Sequence, residues 1–259
     1  MRISNHRETI KEMKIYGSLK ENVVLSVVVV TYNANIKLIN CLRSLTNQTI
    51  EDFEIIVVDN GNNEMAKEEL NKFNLKYILL NKNYGPSFGR NVGTYYSRGR
   101  IVIFIDDDAV IKNDCLESHF KFYADNNVYA VRGRVFALSG KIYTYTAGHY
   151  NLGDNIQKKA DFDIEGNLSL RKDILVKVDG FDPQIFGGEG HDLRTRILEV
   201  DIDENAFIYS PHAIIYHDFA DSLKKFIKKA IRYGEKKGML EQKNGKRLFL
   251  GSRMIIQKL

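Results

Sequence analysis

Two hydrophobic periods alternate along the first two thirds of this chain. Residues 24–31, VLSVVVVT, form a β-branched run that suits a strand buried on both faces. In the following NIKLINCLRSLTNQ, Ile36, Ile39, Leu42 and Leu45 recur at helical spacing. FEIIVVD (53–59) reads as a second strand, NEMAKEELNKF as a helix and KYILL (76–80) as a third strand. SFGRNVGTYYSRG reads as helical despite its glycines, and IVIFID (101–106) as a fourth strand. Such strand–helix–strand units predict a parallel sheet with right-handed crossovers. Ligands of these sheets sit at the carboxyl ends of the strands. Thr31, Asp59, Asn81 and Asp106 all fall there.

Beyond residue 125 the pattern is weaker. VYAVRGRVFAL reads as a strand, HYNLGDNIQKKADFD as a loop and LSLRKDILVKV as mixed. DLRTRILEV is helical, and AFIYSPHAIIYH makes one or two strands. The expected division is an N-terminal extension (1–24), a main α/β domain (25–220) and a basic helical segment (221–259). The domain itself splits into a half of regular strand–helix alternation, about 25–110, and a half of weaker pattern, about 111–220.

Composition narrows the class. At 44% apolar residues the 259-residue chain can build a substantial core. Its longest apolar run, VVLSVVVV, is far short of the ~18 residues of a membrane span, and the polar first twenty residues lack a signal-peptide centre. The expectation is a cytoplasmic protein. Cys41 and Cys115 form no CxxC and are expected to be reduced and buried. Residues 221–247 hold ten Lys/Arg against three Asp/Glu, whereas the remainder carries 28 against 30. A nucleic-acid binder would not concentrate its charge this way. In DSLKKFIKKAIRYG, Leu223, Phe226, Ile227, Ala230 and Ile231 share a helical face, with the lysines around the other. This segment is expected to make a salt-sensitive contact with an anionic membrane surface.

The chemistry centres on three adjacent carboxylates, Asp106, Asp107 and Asp108. On an extended strand end, side chains i and i+2 point the same way, so Asp106 and Asp108 can reach one Mg2+ or Mn2+ while Asp107 faces elsewhere. Thr31, Tyr32 and Asn33 offer a hydroxyl, an aromatic ring and an amide suited to a nucleobase. Arg90, at the start of a helix, can meet a phosphate. Together they describe a nucleoside diphosphate and its cation at one sheet edge.

From about Ser26 to Gly234 the chain resembles glycosyltransferase family 2, with the GT-A fold. The resemblance rests on SVVVVTYN, QTIEDFEIIVVDNGN, NYGPSFGRNVG…SRGRIVIFIDDDAV, GNLSLRKDILVKVDGFDPQIFGGEGHDLRTR and HAIIYHDFADSLKKFIKKAIRYG, in that order. It implies that Asp59 meets the donor's uracil or ribose, with Thr31 and Tyr32 at the edge of the base pocket. It places Arg90 at the family's conserved arginine. Asp106 and Asp108 fall on the outer positions of the D-x-D motif, with Asp107 counted among the donor-binding residues. It makes His217 a third metal ligand. The family's G-G-E-D-x-D-L is here GGEGHDL, residues 187–193, so Gly190 stands where the family often has its catalytic aspartate. Glu189 is then the first candidate for general base, ahead of Asp192 and His191. The implied reaction is metal-dependent transfer of a sugar, with inversion, from a UDP-sugar or other nucleotide-sugar to a glycan, lipid-linked or protein hydroxyl. Two other readings remain: a non-catalytic sugar-nucleotide-binding partner of another transferase, and a phosphatase using the DDD run.

Overall fold

The structure, a computed structural model, describes residues 2–4, 6–32, 35–61, 67–138, 150–162, 164–185 and 187–218. Asn33 and the basic segment 221–259 lie outside them. The elements in chain order are β1 (Ile10–Tyr16), β2 (Leu25–Thr31), α1 (Ile36–Leu45), β3 (Phe53–Asp59), α2 (Lys67–Leu70), β4 (Leu75–Leu80), α3 (Pro86–Tyr96), β5 (Ile101–Asp106) and β6 (Ala109–Ile111). There follow α4 (Cys115–Phe120), β7 (Ala130–Ala137), β8 (Gln157–Lys158), β9 (Asn167–Arg171), α5 (Lys172–Lys177), α6 (Glu189–Leu198) and β10 (Phe207–His217).

One mixed sheet runs in the order β1-β4-β3-β2-β5-β9-β7-β10-β6, with β8 paired to β10. Strands β4, β3, β2 and β5 are mutually parallel, as the pattern predicts. Their apolar runs are continuous because both faces are covered. Val27, Val29, Ile55, Val57, Ile103 and Ile105 face one core with α1. Val28, Ile56, Val58, Val102 and Phe104 face the other, with α3, α5 and α6. The result is three layers.

Residues 1–24 do more than extend the chain: β1 pairs antiparallel with β4 at the sheet edge. Its lysine-containing, mostly exposed pattern suits an edge strand, which hides the strand period from a sequence reading. The C-terminal strand is single, not double. β10 runs parallel to β7 with a register shift between Tyr209 and Ile214, around Pro211, which cannot donate to a ladder. Beyond that shift β6 pairs antiparallel with β10 and sets Ala109 opposite His217. A histidine more than a hundred residues downstream is thereby brought next to the aspartates.

Helix α3 explains its own glycines. A Cβ at Gly93 would lie 2.3 Å from Val28 Cγ1, and one at Gly89 2.7 Å from Val30 Cγ1. Only glycine lets the helix lie this close to β2, and that closeness delivers Arg90 to the end of β5. Asn91, next to it, donates to the carbonyl of Phe181 and accepts from its amide, both at 2.8 Å. The VDGFD turn is thus clamped to GRNVG.

A buried polar network ties β9 to α4, β7 and β10. Asn167 Nδ2 donates to the carbonyls of Arg134 and Ala213, both at 3.0 Å, which fixes its amide orientation. Its Oδ1 therefore accepts from His119 Nε2 at 2.9 Å, and His119 Nδ1 accepts from Ser169 Oγ at 3.0 Å. Burial lowers the His119 pKa to about 4 from the ordinary 6.5. Above pH 6.5 this histidine is neutral in both folded and unfolded chains. Between pH 6.5 and about 4 the unfolded chain takes up a proton that the folded one refuses, so stability falls as pH falls through that window. The full shift corresponds to ~3 kcal/mol. Urea unfolding at pH 7 and pH 4.5 is expected to show this loss. A His119→Gln variant should be weaker at pH 7 but flatter in its acid dependence, and an unchanged acid slope would contradict the assignment. The two cysteines are unbridged and buried.

Candidate active site

The carboxyl end of β5 gathers the charged groups. His217 Nε2 lies 3.2 Å from Asp106 Oδ2 and 3.2 Å from Asp108 Oδ1. One ligand atom from each of Asp106, Asp108 and His217 falls within 4.8 Å of the others. Two carboxylates and an imidazole make a donor set that suits a divalent cation of the manganese type. Arg90 reaches the same cluster, its Nη2 3.3 Å from Asp106 Oδ1, with the guanidinium 5.5 Å from the Phe181 ring centre.

Asp107 turns the other way, although it and Asp108 lie in the turn between β5 and β6 and not on the strand itself. Its Oδ2 accepts from Thr31 Oγ1 at 2.5 Å. Burial pushes its carboxyl up to about 6, against the pull of the Thr31 hydrogen bond and with the push of its two aspartate neighbours. Burial also raises Asp108; the His217 charge opposes this and Asp106 adds to it. The cluster is therefore short of positive charge, and a divalent cation fits it. Lys37, in the first turn of α1, lies 2.7 Å from Asp218 and 4.0 Å from Asp108.

The donor-side expectations divide. Tyr32 is 59% exposed at the strand end, open for a flat ring to stack on. Thr31 is buried and spends its hydroxyl on Asp107, so it shapes the aspartate run from beneath. Asp59 has partners within the protein. Its side chain is fully buried, with Oδ2 accepting from the Tyr77 hydroxyl at 2.8 Å and Oδ1 from the Gly61 amide at 2.7 Å. That geometry holds the loop after β3.

The three candidate bases begin α6 and diverge. Glu189 is buried, and its Oε2 accepts from the amides of Gly187 at 2.8 Å and Gly188 at 2.9 Å. Those glycines have φ of 81° and 129°, which L side chains rarely adopt. Asp192 receives both Nε and Nη2 of Arg196, at 2.9 and 2.8 Å. His191 faces outward, 3.0 Å from Asp161. The structure thus brings Asp106, Asp108, His217 and Arg90 together but leaves Asp192 and His191 committed elsewhere.

Residues 26–181, more than half the chain, match the family described as Glycosyl transferase family 2. The chain belongs to glycosyltransferase family 2. It is 28% identical over 207 residues to the uncharacterized glycosyltransferase YfnE of Bacillus subtilis, a match covering 78% of this chain and 46% of that one. Among solved structures, S. aureus TarS 1–349 in complex with UDP-GlcNAc superposes with a TM-score of 0.60 at 21% identity, over 77% of this chain and 60% of that one. The mannosyltransferase PcManGT from Pyrobaculum calidifontis, in complex with GDP-Man and Mn2+, gives 0.61 at 19% identity, over 82% and 65%. At such identities the likeness shows the fold, which is the expected GT-A fold. The chain spans less than two thirds of the length of the curated relatives it matches. None of its described helices is long and apolar enough to cross a membrane.

Two residues of this family 2 site escape a sequence reading. Gly166 packs against the metal cluster: a Cβ there would sit 2.1 Å from Asp106 Oδ2. Glu165, just before it, accepts from the Gly190 amide at 2.6 Å. Nothing in the pattern of DFDIEGNLSL marks either as close to an aspartate sixty residues earlier; only the β5–β9 pairing, Ile105 opposite Asn167, does so.

Proposed function

We propose that this chain transfers a hexosyl unit from a nucleoside-diphosphate sugar, UDP-linked in our reading, to a hydroxyl of a glycan, lipid-linked or protein acceptor, with inversion and in the presence of Mn2+ or Mg2+. The observation that carries the reading is the convergence of Asp106, Asp108 and His217 with Arg90 at one strand end. Membership of the family and the nucleotide-sugar complexes of its structural neighbours support it.

In this reading Tyr32 stacks on the base, and Asn33 beside it offers an amide to the base edge. Arg90 leaves part of its hold on Asp106 to hydrogen-bond the diphosphate. Asp106, Asp108 and His217 would hold a divalent cation, which would supply positive charge to offset the leaving diphosphate. A carboxylate on the α6 side takes the proton of the acceptor hydroxyl. Attack from the face opposite the leaving group inverts the anomeric centre. The basic residues of 221–247 would hold the enzyme near anionic lipid.

The test is a screen of UDP-glucose, UDP-GlcNAc and GDP-mannose for nucleotide release, with Mn2+ and with EDTA. Release from at least one donor, lost on chelation, is expected. Tight nucleotide-sugar binding with no release in any acceptor mixture would instead favour a binding partner of another transferase.

A further inference from the structure

The acceptor side of the site holds a second carboxylate that no motif announces. Glu165 lies on the loop between β8 and β9, one residue before the glycine laid against Asp106. Its Oε1 accepts from the Gly190 amide at 2.6 Å. Burial and the charge of Glu189 hold its carboxyl above the ordinary range, while the charge of Arg90 opposes them. Glu165 therefore feels the charges of both Arg90 of α3 and Glu189 of α6. Arg90 is the residue that also touches the metal cluster.

Gly190 is the other half of the arrangement. A side chain there is excluded: its Cβ would stand 1.8 Å from the Phe162 carbonyl oxygen and 2.9 Å from Glu165 Oε1. The first turn of α6 offers only a backbone amide at this point, and the carboxylate beside it comes from Glu165. The other candidates hold partners of their own. Glu189 holds two glycine amides through one oxygen, Asp192 is paired with both Nε and Nη2 of Arg196, and His191 is turned to Asp161.

We propose that Glu165 is the catalytic base of this transferase. Its carboxylate takes the proton of the acceptor hydroxyl as the acceptor oxygen bonds to the anomeric carbon. The anomeric carbon–oxygen bond to the diphosphate breaks, and its electron pair leaves with the diphosphate. Glu189 is a positioning residue that shapes the glycine turn and, by its negative charge, keeps Glu165 basic. This rests on the transferase reading above and names the group that performs its proton transfer.

The experiment compares wild type with Glu165→Gln, Glu165→Asp and Glu189→Gln. Calorimetry gives the UDP and GDP affinities with Mn2+, and nucleotide release is followed from UDP-glucose, UDP-GlcNAc and GDP-mannose. Glu165→Gln is expected to keep nucleotide affinity within ~3-fold and lose ~100-fold or more in release. Glu165→Asp keeps a carboxylate on a shorter arm, and should recover part of that rate at the same affinity. It also carries the test if the glutamine variant fails to fold. Glu189→Gln should cost less than Glu165→Gln. Wild-type release in Glu165→Gln, or a loss equal in the Gln and Asp variants, would overturn the assignment while leaving the transferase reading intact. Absence of Mn2+-dependent nucleotide binding in the wild type would overturn both.

Discussion

Replacement of Asp108 by alanine is expected to remove Mn2+-dependent nucleotide binding, a loss of ~100-fold or more in affinity, without unfolding the chain. The two effects separate because Asp108 is poorly satisfied in the protein alone. Burial and the neighbouring Asp106 both work against its charge, and His217 compensates only in part. Removing a carboxylate in that position costs little stability. Lys37, which lies 4.0 Å from Asp108, keeps its closer partner Asp218. What disappears is one of the two carboxylates facing His217, so the cation loses an anionic ligand and the diphosphate its counter-charge. Calorimetric titration of UDP and GDP with Mn2+ and with EDTA reads the first effect, and thermal unfolding the second. Wild-type nucleotide affinity with Mn2+, lost on chelation as before, would show that Asp108 is no ligand.

That cluster shows how far the sequence could be read. The β-branched runs of β2, β3 and β5 are legible because strands buried on both faces admit little else, and their carboxyl ends follow from the parallel topology. Asp106 and Asp108 separate from Asp107 as an extended strand end would have them do, although the turn between β5 and β6 produces the separation. Their meeting with His217 is a different matter. It depends on β6, three residues long, and on the register shift at Pro211, neither of which carries a period. β1 is hidden because an edge strand must look polar. Asp59 shows a general limit: an aspartate at a strand end can face a ligand or brace its own loop, and its hydrogen bond from Tyr77 on the adjacent strand carries no mark in the pattern. Glu165 is invisible because its significance lies in what Gly190 lacks.

Gly166→Ala is expected to damage the site as severely as the loss of a ligand, with every charged group still in place. The alanine Cβ would fall 2.1 Å from Asp106 Oδ2 and 2.3 Å from its Cγ, far inside van der Waals contact. One of the two must move. The backbone at 166 is held by its neighbour, since Asn167 pairs with Ile105 in the ladder and its side chain bonds Arg134 and Ala213. The Asp106 carboxylate is the freer partner, so it swings away from His217 and Arg90. A displacement on the order of 1 Å at a reacting centre costs ~100-fold in rate. Nucleotide release should fall by about that factor, and the Mn2+ concentration for half-maximal release should rise, because Asp106 no longer shares a ligand position with Asp108. The melting temperature should change little, as no buried apolar contact is removed. Raising Mn2+ should restore part of the rate, whereas a loss from damage to the acceptor side alone would not respond to the metal. Unaltered Mn2+ dependence alongside a lowered rate would therefore place Gly166 against Glu165 and the acceptor, and not against the cluster.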